Sequence, residues 1–135
     1  MTRKSVPPRI CISATGQTAG ELLECARRAL AHSRFVELRL DWAANPREAA
    51  ASIPGLLRAE AAGAKKHALL LATCRREANG GRFRGTVAEQ LNVLKKAAAN
   101  GCRLVDLEIE SAEAVGAEAV ARLRARLREG TSLIL

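Results

Sequence analysis

Strand-like and helix-like segments alternate strictly along this chain of 135 residues, and that alternation limits the folds it can adopt. Short apolar runs typical of strands are followed by longer segments that open on helix-capping residues. The pattern is β-α four times and then β, which predicts an α/β protein with parallel strands and right-handed crossovers. We predict strands at residues 10–13, 35–40, 68–74 and 103–109, and the start of a fifth at 131–135.

The predicted helices begin at recognisable capping residues. Thr18 and Thr86 each stand three residues before a glutamate, which is the arrangement of a capping box. Asn45 precedes a proline at the first helical position, and Ser111 is the predicted cap of the fourth helix. The four helices are expected to end near His32, near Ala62 with Gly63 as C-cap and a kink or split at Pro54-Gly55, at Asn100-Gly101, and at Glu129-Gly130.

Two α/β architectures fit this pattern, an open doubly wound sheet and a (β/α)8 barrel. A dinucleotide-binding doubly wound sheet has a glycine-rich turn after its first strand. The turn at residues 13–17 contains only Gly16 and no GxGxxG motif. A barrel instead has polar side chains that point inward at the C-terminal ends of several strands. Polar residues at those positions favour the barrel. We predict an N-terminal tail at residues 1–8 and a partial barrel that spans residues 9–135, with four βα units and the start of strand five.

The segment at residues 35–41 carries charges on one face only. Val36, Leu38 and Leu40 share one face of this predicted strand, whereas the alternate positions after Phe35 are charged. A buried charge is costly unless it is paired or used, so the charged face marks a candidate functional site. Corresponding positions of all four strands predict one inward-facing polar site formed by Ser13, Glu37, Arg39, Asp41, Thr73, Arg75, Asp106, Glu108 and Glu110.

Composition narrows the classes of protein further. Hydrophobic residues make up 48% of the chain, enough for a core, and no apolar run reaches transmembrane length. The basic N-terminus lacks the apolar stretch of a signal peptide, so we predict a cytoplasmic protein without membrane contact. The four cysteines form no CxxC or Cys/His cluster, so we expect buried thiols and no metal site.

The net charge of +8 raises the question of a polyanionic partner. The chain has no Tyr, and neither Phe lies among basic residues in a way suited to base stacking. Arg122, Arg124, Arg126 and Arg128 are spaced by two and would therefore spread around a helix. These features disfavour nucleic-acid binding, while a site for an anionic small molecule agrees with the charge equally well.

Four motifs, taken in order, resemble the first half of type I 3-dehydroquinate dehydratase, a (β/α)8-barrel enzyme of the shikimate pathway of aromatic amino-acid biosynthesis. They are ICIS ending at Ser13, ELRLD at residues 37–41, ATCR ending at Arg75 with Gly80-Gly81 after it, and VDLE at residues 105–108. The resemblance covers the chain from about Arg9, but only the first half of the family's domain.

The resemblance implies roles for the matching residues. Ser13, Glu37, Arg39 and Arg75 would bind the substrate 3-dehydroquinate, and Glu37 would also help to position the family's catalytic histidine. The guanidinium group suits such a role because its donors form a fixed fork that matches substrate oxygens. No cofactor is implied.

Three further positions bear on the site. The family often has a glutamate just before the Gly-Gly pair, where this chain has Asn79, and Glu77 is close enough to substitute for it if the loop shifts. Asp106 and Glu108 match the family's Asp-Leu-Glu motif. For these two carboxylates we favour a structural ion pair with a neighbouring arginine over a direct catalytic role.

The family's reaction proceeds through a Schiff base between a lysine and the substrate ketone, and a histidine removes the adjacent proton to give 3-dehydroshikimate. His32 and His67 fall at the N-terminal ends of predicted strands, away from the site. We therefore expect the catalytic histidine and lysine beyond Leu135, and a fragment or prematurely ended product that is inactive alone. The lysines of the chain lie in the tail, before strand three or inside a helix: Lys4, Lys65, Lys66, Lys95 and Lys96.

A second hypothesis is a non-catalytic half-barrel that self-associates as a homo-oligomer or binds an anionic ligand. An open parallel sheet has an unpaired edge and an uncovered inner face. The net charge of +8 agrees with an anionic ligand. The sequence leaves open the oligomeric state and any fusion to another enzyme of the same pathway.

Overall fold

The computed structural model describes residues 8–62, 67–127 and 129–135. Five strands form one sheet in which every neighbouring pair runs parallel, which confirms the predicted α/β fold. The strands are β1 (Ile12–Ala14), β2 (Phe35–Arg39), β3 (Leu69–Thr73), β4 (Leu104–Asp106) and β5 (Ser132–Ile134).

Helices connect successive strands, and two short 3-10 turns, Leu40–Trp42 and Glu77–Asn79, follow β2 and β3. No helix in the described ranges is long and apolar enough to cross a membrane. The helices are α1 (Ala19–Leu30), α2 (Pro46–Ala61), α3 (Val87–Ala99), α4 (Ile109–Val115) and α5 (Ala117–Arg126).

The spatial order of the strands equals their order in the sequence, β1-β2-β3-β4-β5. With right-handed crossovers, this order places every connecting helix on the same side of the sheet. A doubly wound sheet would instead reverse the strand order and carry helices on both sides. The observed order is that of a (β/α)8 barrel, and it confirms the predicted partial barrel.

Side-chain burial alternates along the strands and separates an outer face from an inner face. Outer-face residues such as Leu38, Leu70 and Val105 pack against the helices and are fully buried. The alternate residues point to the other side, and most of them stay partly exposed. The aliphatic core therefore lies between the sheet and the helices, and the charged residues of β2 and β4 lie on the inner face.

The capping residues predicted for the first three helices are confirmed. The side chain of Thr18 accepts a hydrogen bond from the backbone N–H of Glu21, whose carboxylate accepts from the backbone N–H of Thr18, and Thr86 forms the same capping box. Asn45 caps α2, with Pro46 at its first position. These contacts satisfy N–H groups that a helix start otherwise leaves unpaired.

The predicted break at Pro54-Gly55 does not divide α2, which continues through Pro54 to Ala61. A proline inside a helix leaves the carbonyl four residues earlier without its usual donor. Here that carbonyl belongs to Ala50, and the side chain of Asn100 at the end of α3 donates to it at 3.0 Å. A partner from the neighbouring helix thus compensates for the missing bond. The predicted C-cap Gly63 lies outside the described residues.

The fourth βα unit differs from the prediction. β4 ends at Asp106 because Glu108 occupies the N-cap position of α4 and Ile109 is already helical. Ser111 is therefore not the cap but lies in the first turn of α4, where its backbone N–H donates to the carbonyl of Glu108. Glu110 is also helical and exposed, so its assignment to the strand was wrong, although it still lines a cleft together with Arg75, Asp106 and Glu108.

The helix predicted to run to Glu129-Gly130 is also divided. The φ angle of Gly116 is +84°, which interrupts the helical path between α4 and α5. The second piece, α5, ends at Arg126. The other strands differ from the predictions only at their ends, as when β2 stops at Arg39 because Leu40 enters a 3-10 turn.

The prediction of four buried thiols was half right. Cys74 and Cys102 are buried, and burial raises the pKa of the Cys102 thiol to about 12. Cys25 is partly buried, and Cys11 is exposed because it precedes β1 on the uncovered inner side. Partial desolvation by the neighbouring strand and then the negative charge of Glu37 raise the pKa of the Cys11 thiol.

Consecutive leucines of β3 provide a test of the two faces. We expect Leu70→Ala to lower the free energy of unfolding by about 2–5 kcal/mol, because it leaves a cavity under the helices. Leu70 is fully buried, whereas Leu71 points to the partly exposed inner face. Leu71→Ala should therefore cost clearly less. Urea denaturation of both variants measures the difference, and equal losses would contradict the assignment of faces.

Candidate active site

The strand register brings the predicted site residues into two rows on the inner face. Ser13 of β1 lies beside Glu37 of β2. Nearer the C-terminal ends of the strands, Arg39 of β2 lies beside Thr73 of β3, and Thr73 lies beside Asp106 of β4. Polar groups from four successive strands therefore meet at one edge of the sheet, where parallel barrels place their active sites.

Ser13 and Glu37 are joined directly. The hydroxyl of Ser13 donates a hydrogen bond to Oε2 of Glu37 across the β1–β2 boundary. This contact links two of the four predicted substrate-binding residues and fixes the orientation of the Glu37 carboxylate. Because Ser13 is exposed and Glu37 is partly exposed, a bound molecule can reach the pair.

Arg39 is held by the carboxylate of Asp41, two residues later in the 3-10 turn. Its Nε and Nη2 atoms donate to the two oxygens of Asp41 at 3.0 and 2.9 Å. The side chain of Asp41 is fully buried, and that of Arg39 is 19% exposed. Hydrogen bonding to Asp41 raises the pKa of Arg39 above its ordinary value, so this guanidinium keeps its charge.

Asp41 also binds the loop that follows β3, since its Oδ2 atom accepts the backbone N–H of Arg82 at 3.1 Å. The guanidinium of Arg82 stacks over the ring of Trp42, 3.4 Å from the ring centre. The sequence placed Asp41 on the charged face but did not show that it joins two loops. Nor did it identify the Arg82–Trp42 contact, because no local pattern relates residues so far apart in the chain.

The loop at residues 75–85 is closed by its own backbone. The N–H of Phe83 donates to the carbonyl of Arg75 at 3.0 Å, and the N–H of Gly81 donates to the carbonyl of Arg76 at 2.9 Å. A Cβ atom at Gly81 would lie 2.1 Å from the carbonyl oxygen of Arg75, so only glycine fits there. Gly80 has a φ of +82°, which favours glycine as well. The Gly-Gly pair thus packs the loop against Arg75.

Arg75 projects from the end of β3 toward two carboxylates. Its Nη2 donates to Oδ2 of Asp106 at 3.3 Å, and its Nε lies 3.9 Å from Oε1 of Glu108. Both carboxylates thus lie within ion-pair distance of Arg75, and the interpretation that favours a structural over a catalytic role for them stays a prediction. The Arg75 side chain remains 40% exposed, so part of the guanidinium is still open to a ligand.

Burial raises the pKa of Asp106 above its ordinary value. The hydrogen bond from Arg75 opposes this shift, and the nearby charges of Glu108 and Glu37 reinforce it. Asp106 therefore holds its proton to a higher pH than a solvated aspartate does. The main cause is the burial of the carboxyl group, which disfavours its charged form.

Glu108 is almost buried and carries a set of contacts that the sequence did not reveal. It accepts from the backbone N–H of Arg76 at 2.9 Å and from the side-chain amide of Gln90 in α3. Gln90 is fully buried. Its sequence position could have indicated this role, because a polar residue within the apolar stripe formed with Val87, Leu91 and Leu94 needs a buried partner.

Asn79 and Glu77 lie on different sides of the loop. Asn79 lines a cleft of about 500 Å3 together with Arg75, Asp106 and Glu108. Glu77 instead accepts from Nε of Arg84 at 2.6 Å and lines a separate cleft of about 740 Å3. Asn79, not Glu77, is therefore the loop residue that shares a cleft with Arg75, Asp106 and Glu108.

The charge of the site differs from the charge of the chain. Two guanidiniums, Arg39 and Arg75, meet four carboxylates, which gives a formal excess of two negative charges when all are ionised. The net charge of +8 therefore does not come from this pocket. The carboxylates are those of Glu37, Asp41, Asp106 and Glu108.

The histidines and lysines in the described ranges lie away from this edge. His32 follows α1, and His67 precedes β3, so both are near the N-terminal ends of the strands. Lys95 and Lys96 lie in the second half of α3, which runs back toward that same end. Lys4, Lys65 and Lys66 are outside the described residues.

Comparisons of the sequence with a family model and with curated proteins indicate the same family. A sequence model of the family described as type I 3-dehydroquinase matches residues 10–135. A curated 3-dehydroquinate dehydratase of Dehalococcoides mccartyi strain CBDB1 is 36% identical over 104 residues, which cover 76% of this chain and 39% of the relative. The chain thus spans about two fifths of the length of the curated relatives that it matches.

Solved structures agree on the fold. The 3-dehydroquinate dehydratase of Geobacillus kaustophilus HTA426 superimposes with a TM-score of 0.72 at 22% identity, over 96% of this chain and 49% of that chain. The type I 3-dehydroquinate dehydratase of Clostridium difficile gives 0.69 at 20% identity, over 94% and 49%. At these identities the likeness concerns the arrangement of strands and helices.

Removing the charge of Asp41 should weaken its contacts with the guanidinium of Arg39 and with the backbone N–H of Arg82. We expect Asp41→Asn to lower the free energy of unfolding by about 3 kcal/mol, because a buried arginine contact and a backbone bond lose their carboxylate partner. Arg84→Gln, which removes the exposed ion pair with Glu77, should cost less than about 1 kcal/mol. Urea denaturation of both variants is the measurement, and similar losses would contradict the role of Asp41.

The raised pKa of Asp106 predicts a particular pH dependence. The folded chain binds this proton more tightly than the unfolded chain, so stability falls as pH rises from about 3.8 through the raised value. Asp106→Asn should remove that loss and be more stable than the natural chain at pH 7, yet equal to it at pH 3. Denaturation at both pH values checks this, and a less stable variant at pH 7 would exclude it.

Proposed function

Because the chain belongs to the type I 3-dehydroquinase family, we propose that its inner face binds 3-dehydroquinate as the first half of a dehydratase site. The whole protein would dehydrate 3-dehydroquinate to 3-dehydroshikimate, a carbon–oxygen lyase reaction of the shikimate pathway, in the cytoplasm and without a cofactor. The observation that carries this proposal is the convergence of Ser13, Glu37, Arg39 and Arg75 at one edge of three adjacent parallel strands.

The two arginines are proposed to bind the oxygens of the substrate. Arg75 uses Nη2 for Asp106 while its side chain stays 40% exposed. Arg39 directs Nε and Nη2 to Asp41, and its Nη1 has no hydrogen-bond acceptor within the described residues. A guanidinium has five donors in a fixed plane, so each arginine can hold one carboxylate and still bind a second anionic or hydroxyl oxygen.

Ser13 and Glu37 are proposed to act as a pair. The hydrogen bond from Ser13 orients the carboxylate of Glu37, and both side chains remain accessible on the inner face. Ser13 would contact the substrate directly. Glu37 would contact it too and would accept from the histidine that removes the substrate proton, which sets the orientation of that imidazole.

The excess of negative charge suits the family's mechanism. The reaction passes through a protonated imine between a lysine and the substrate ketone, which carries a positive charge in the pocket. Preorganised carboxylates stabilise a cation that forms between them, and the low solvent content of a closed pocket strengthens that effect. Arg39 and Arg75 at the same time keep the site favourable for the anionic substrate.

We further propose that the Schiff-base lysine and the general-base histidine are not among these 135 residues. A Schiff-base lysine must reach the ketone while neutral, in a desolvated or cation-rich pocket. Lys95 and Lys96 belong to α3 on the outer layer, and His32 and His67 lie toward the other end of the sheet. The chain alone would therefore bind substrate without converting it.

Borohydride trapping tests the absence of imine chemistry. The purified chain is incubated with 3-dehydroquinate and sodium borohydride, which reduces any imine to a stable amine, and is then weighed by mass spectrometry. We expect the mass of the unmodified chain and no appearance of 3-dehydroshikimate. A covalent adduct on any lysine would overturn the proposal that the catalytic lysine lies elsewhere.

Binding is tested separately by titrating 3-dehydroquinate into the 15N-labelled chain and following the backbone amide signals. We expect shifts at the ends of β1, β2 and β3. Arg75→Ala should weaken binding roughly tenfold or more, since a charge-assisted contact is lost. The matched control is Arg84→Ala, an arginine of the same loop that is 84% exposed and paired with Glu77. Equal effects of the two substitutions would contradict the proposed site.

A further inference from the structure

The loop that carries Arg75 is bracketed by two buried side chains to which the proposed function assigns no contact with the substrate. One is Gln90 of α3, and the other is Glu108 at the start of α4. Gln90 is fully buried, and the side chain of Glu108 is 6% exposed. Buried polar groups at such positions are costly unless their hydrogen bonds are made, so their partners identify what they hold in place.

Gln90 holds the residue before Arg75. Its side-chain Nε2 donates to the backbone carbonyl of Cys74 at 2.8 Å. The same nitrogen donates to Oε2 of Glu108, so both of its hydrogens are used. Within the described residues its oxygen, Oε1, is buried without a hydrogen-bond partner. The two bonds that Nε2 donates are therefore the hydrogen bonds that the Gln90 side chain makes there.

Glu108 holds the residue after Arg75. Its Oε1 accepts the backbone N–H of Arg76 at 2.9 Å, and the same oxygen lies 3.9 Å from Nε of Arg75. Its Oε2 accepts from Gln90, with Ser111 as a more distant donor at 3.5 Å. The two side chains therefore bond each other and bond the peptide groups on both sides of one arginine.

We propose that Gln90 and Glu108 are positioning residues for Arg75, which they fix at the pocket edge without contacting the substrate. This inference rests on the proposed function, because Arg75 is the substrate-binding group that it concerns. Fixing the carbonyl of Cys74 and the amide of Arg76 restricts the backbone torsions of Arg75, and the negative charge of Glu108 attracts its guanidinium, whose Nε lies 3.9 Å away without a hydrogen bond in the described part of the chain. The guanidinium then meets a ligand without first losing its freedom of movement.

The test separates the order of Arg75 from the binding of substrate. In the 15N-labelled chain, the Nε–Hε signal of Arg75 is identified by its loss in Arg75→Lys, and its heteronuclear NOE reports side-chain motion. Gln90→Leu and Gln90→Met remove the two donated bonds, and Glu108→Gln removes the charge. We expect each to lower the NOE of this signal and to weaken binding of 3-dehydroquinate about tenfold.

The matched control is Leu94→Ala, one turn further along α3 at a fully buried position outside the bracket. It should destabilise the packing of α3 but leave the NOE of the Arg75 signal unchanged. If Gln90 only supported that packing, the Gln90 variants would behave in the same way as Leu94→Ala. Circular dichroism confirms that each variant is folded, and Gln90→Met keeps nearly the same shape as glutamine.

The possible outcomes distinguish the two proposals. An unchanged NOE in the folded Gln90 variants overturns the inference, whether or not 3-dehydroquinate binds. A lowered NOE in a chain that does not bind 3-dehydroquinate supports the restraint on Arg75 but rejects the proposed function. A lowered NOE with weakened binding, absent in Leu94→Ala, supports both.

Discussion

Two buried carboxylates hold the loop after β3, and the arrangement of the site depends on them. Asp41, just beyond β2, accepts the backbone N–H of Arg82 near the end of that loop. Glu108, just beyond β4, accepts the backbone N–H of Arg76 near its beginning. A carboxylate inside a protein is tolerated only when donors surround it, so each of these groups must keep the loop close. The loop is therefore fixed from both neighbouring strands.

The same carboxylates set the electrostatics of the pocket. Arg39 is bound by Asp41, and Arg75 by Asp106 with Glu108 close by, so both guanidiniums are held before any ligand arrives. Preorganised charges require no rearrangement when a charged ligand binds. Burial raises the pKa of Asp106 in spite of its hydrogen bond with Arg75, and the neighbouring carboxylates add to this shift.

Much of this could be predicted because it depends on local periodicity. Alternation along residues 35–41 assigned Glu37 and Arg39 to one face, and the capping pairs located the starts of three helices. The fourth βα unit was misjudged because Asp-Leu-Glu continues an alternating pattern, although Glu108 already occupies the N-cap position of α4. The apolar stripe around Gln90 indicates that it needs a buried partner, but it could not show which, since the partners are Cys74 just after β3 and Glu108 just before α4.

By itself, the sequence determined the order of the elements, the face on which each strand residue lies, and the family to which the motifs point. These depend on patterns within a few residues and on turn chemistry. Only the tertiary structure decided which charges pair, that Asn79 rather than Glu77 lies beside Arg75, and that the side chain of Asn100 donates to the carbonyl freed by Pro54. Those contacts join groups far apart in the chain, and they form only when the sheet and its helices have packed.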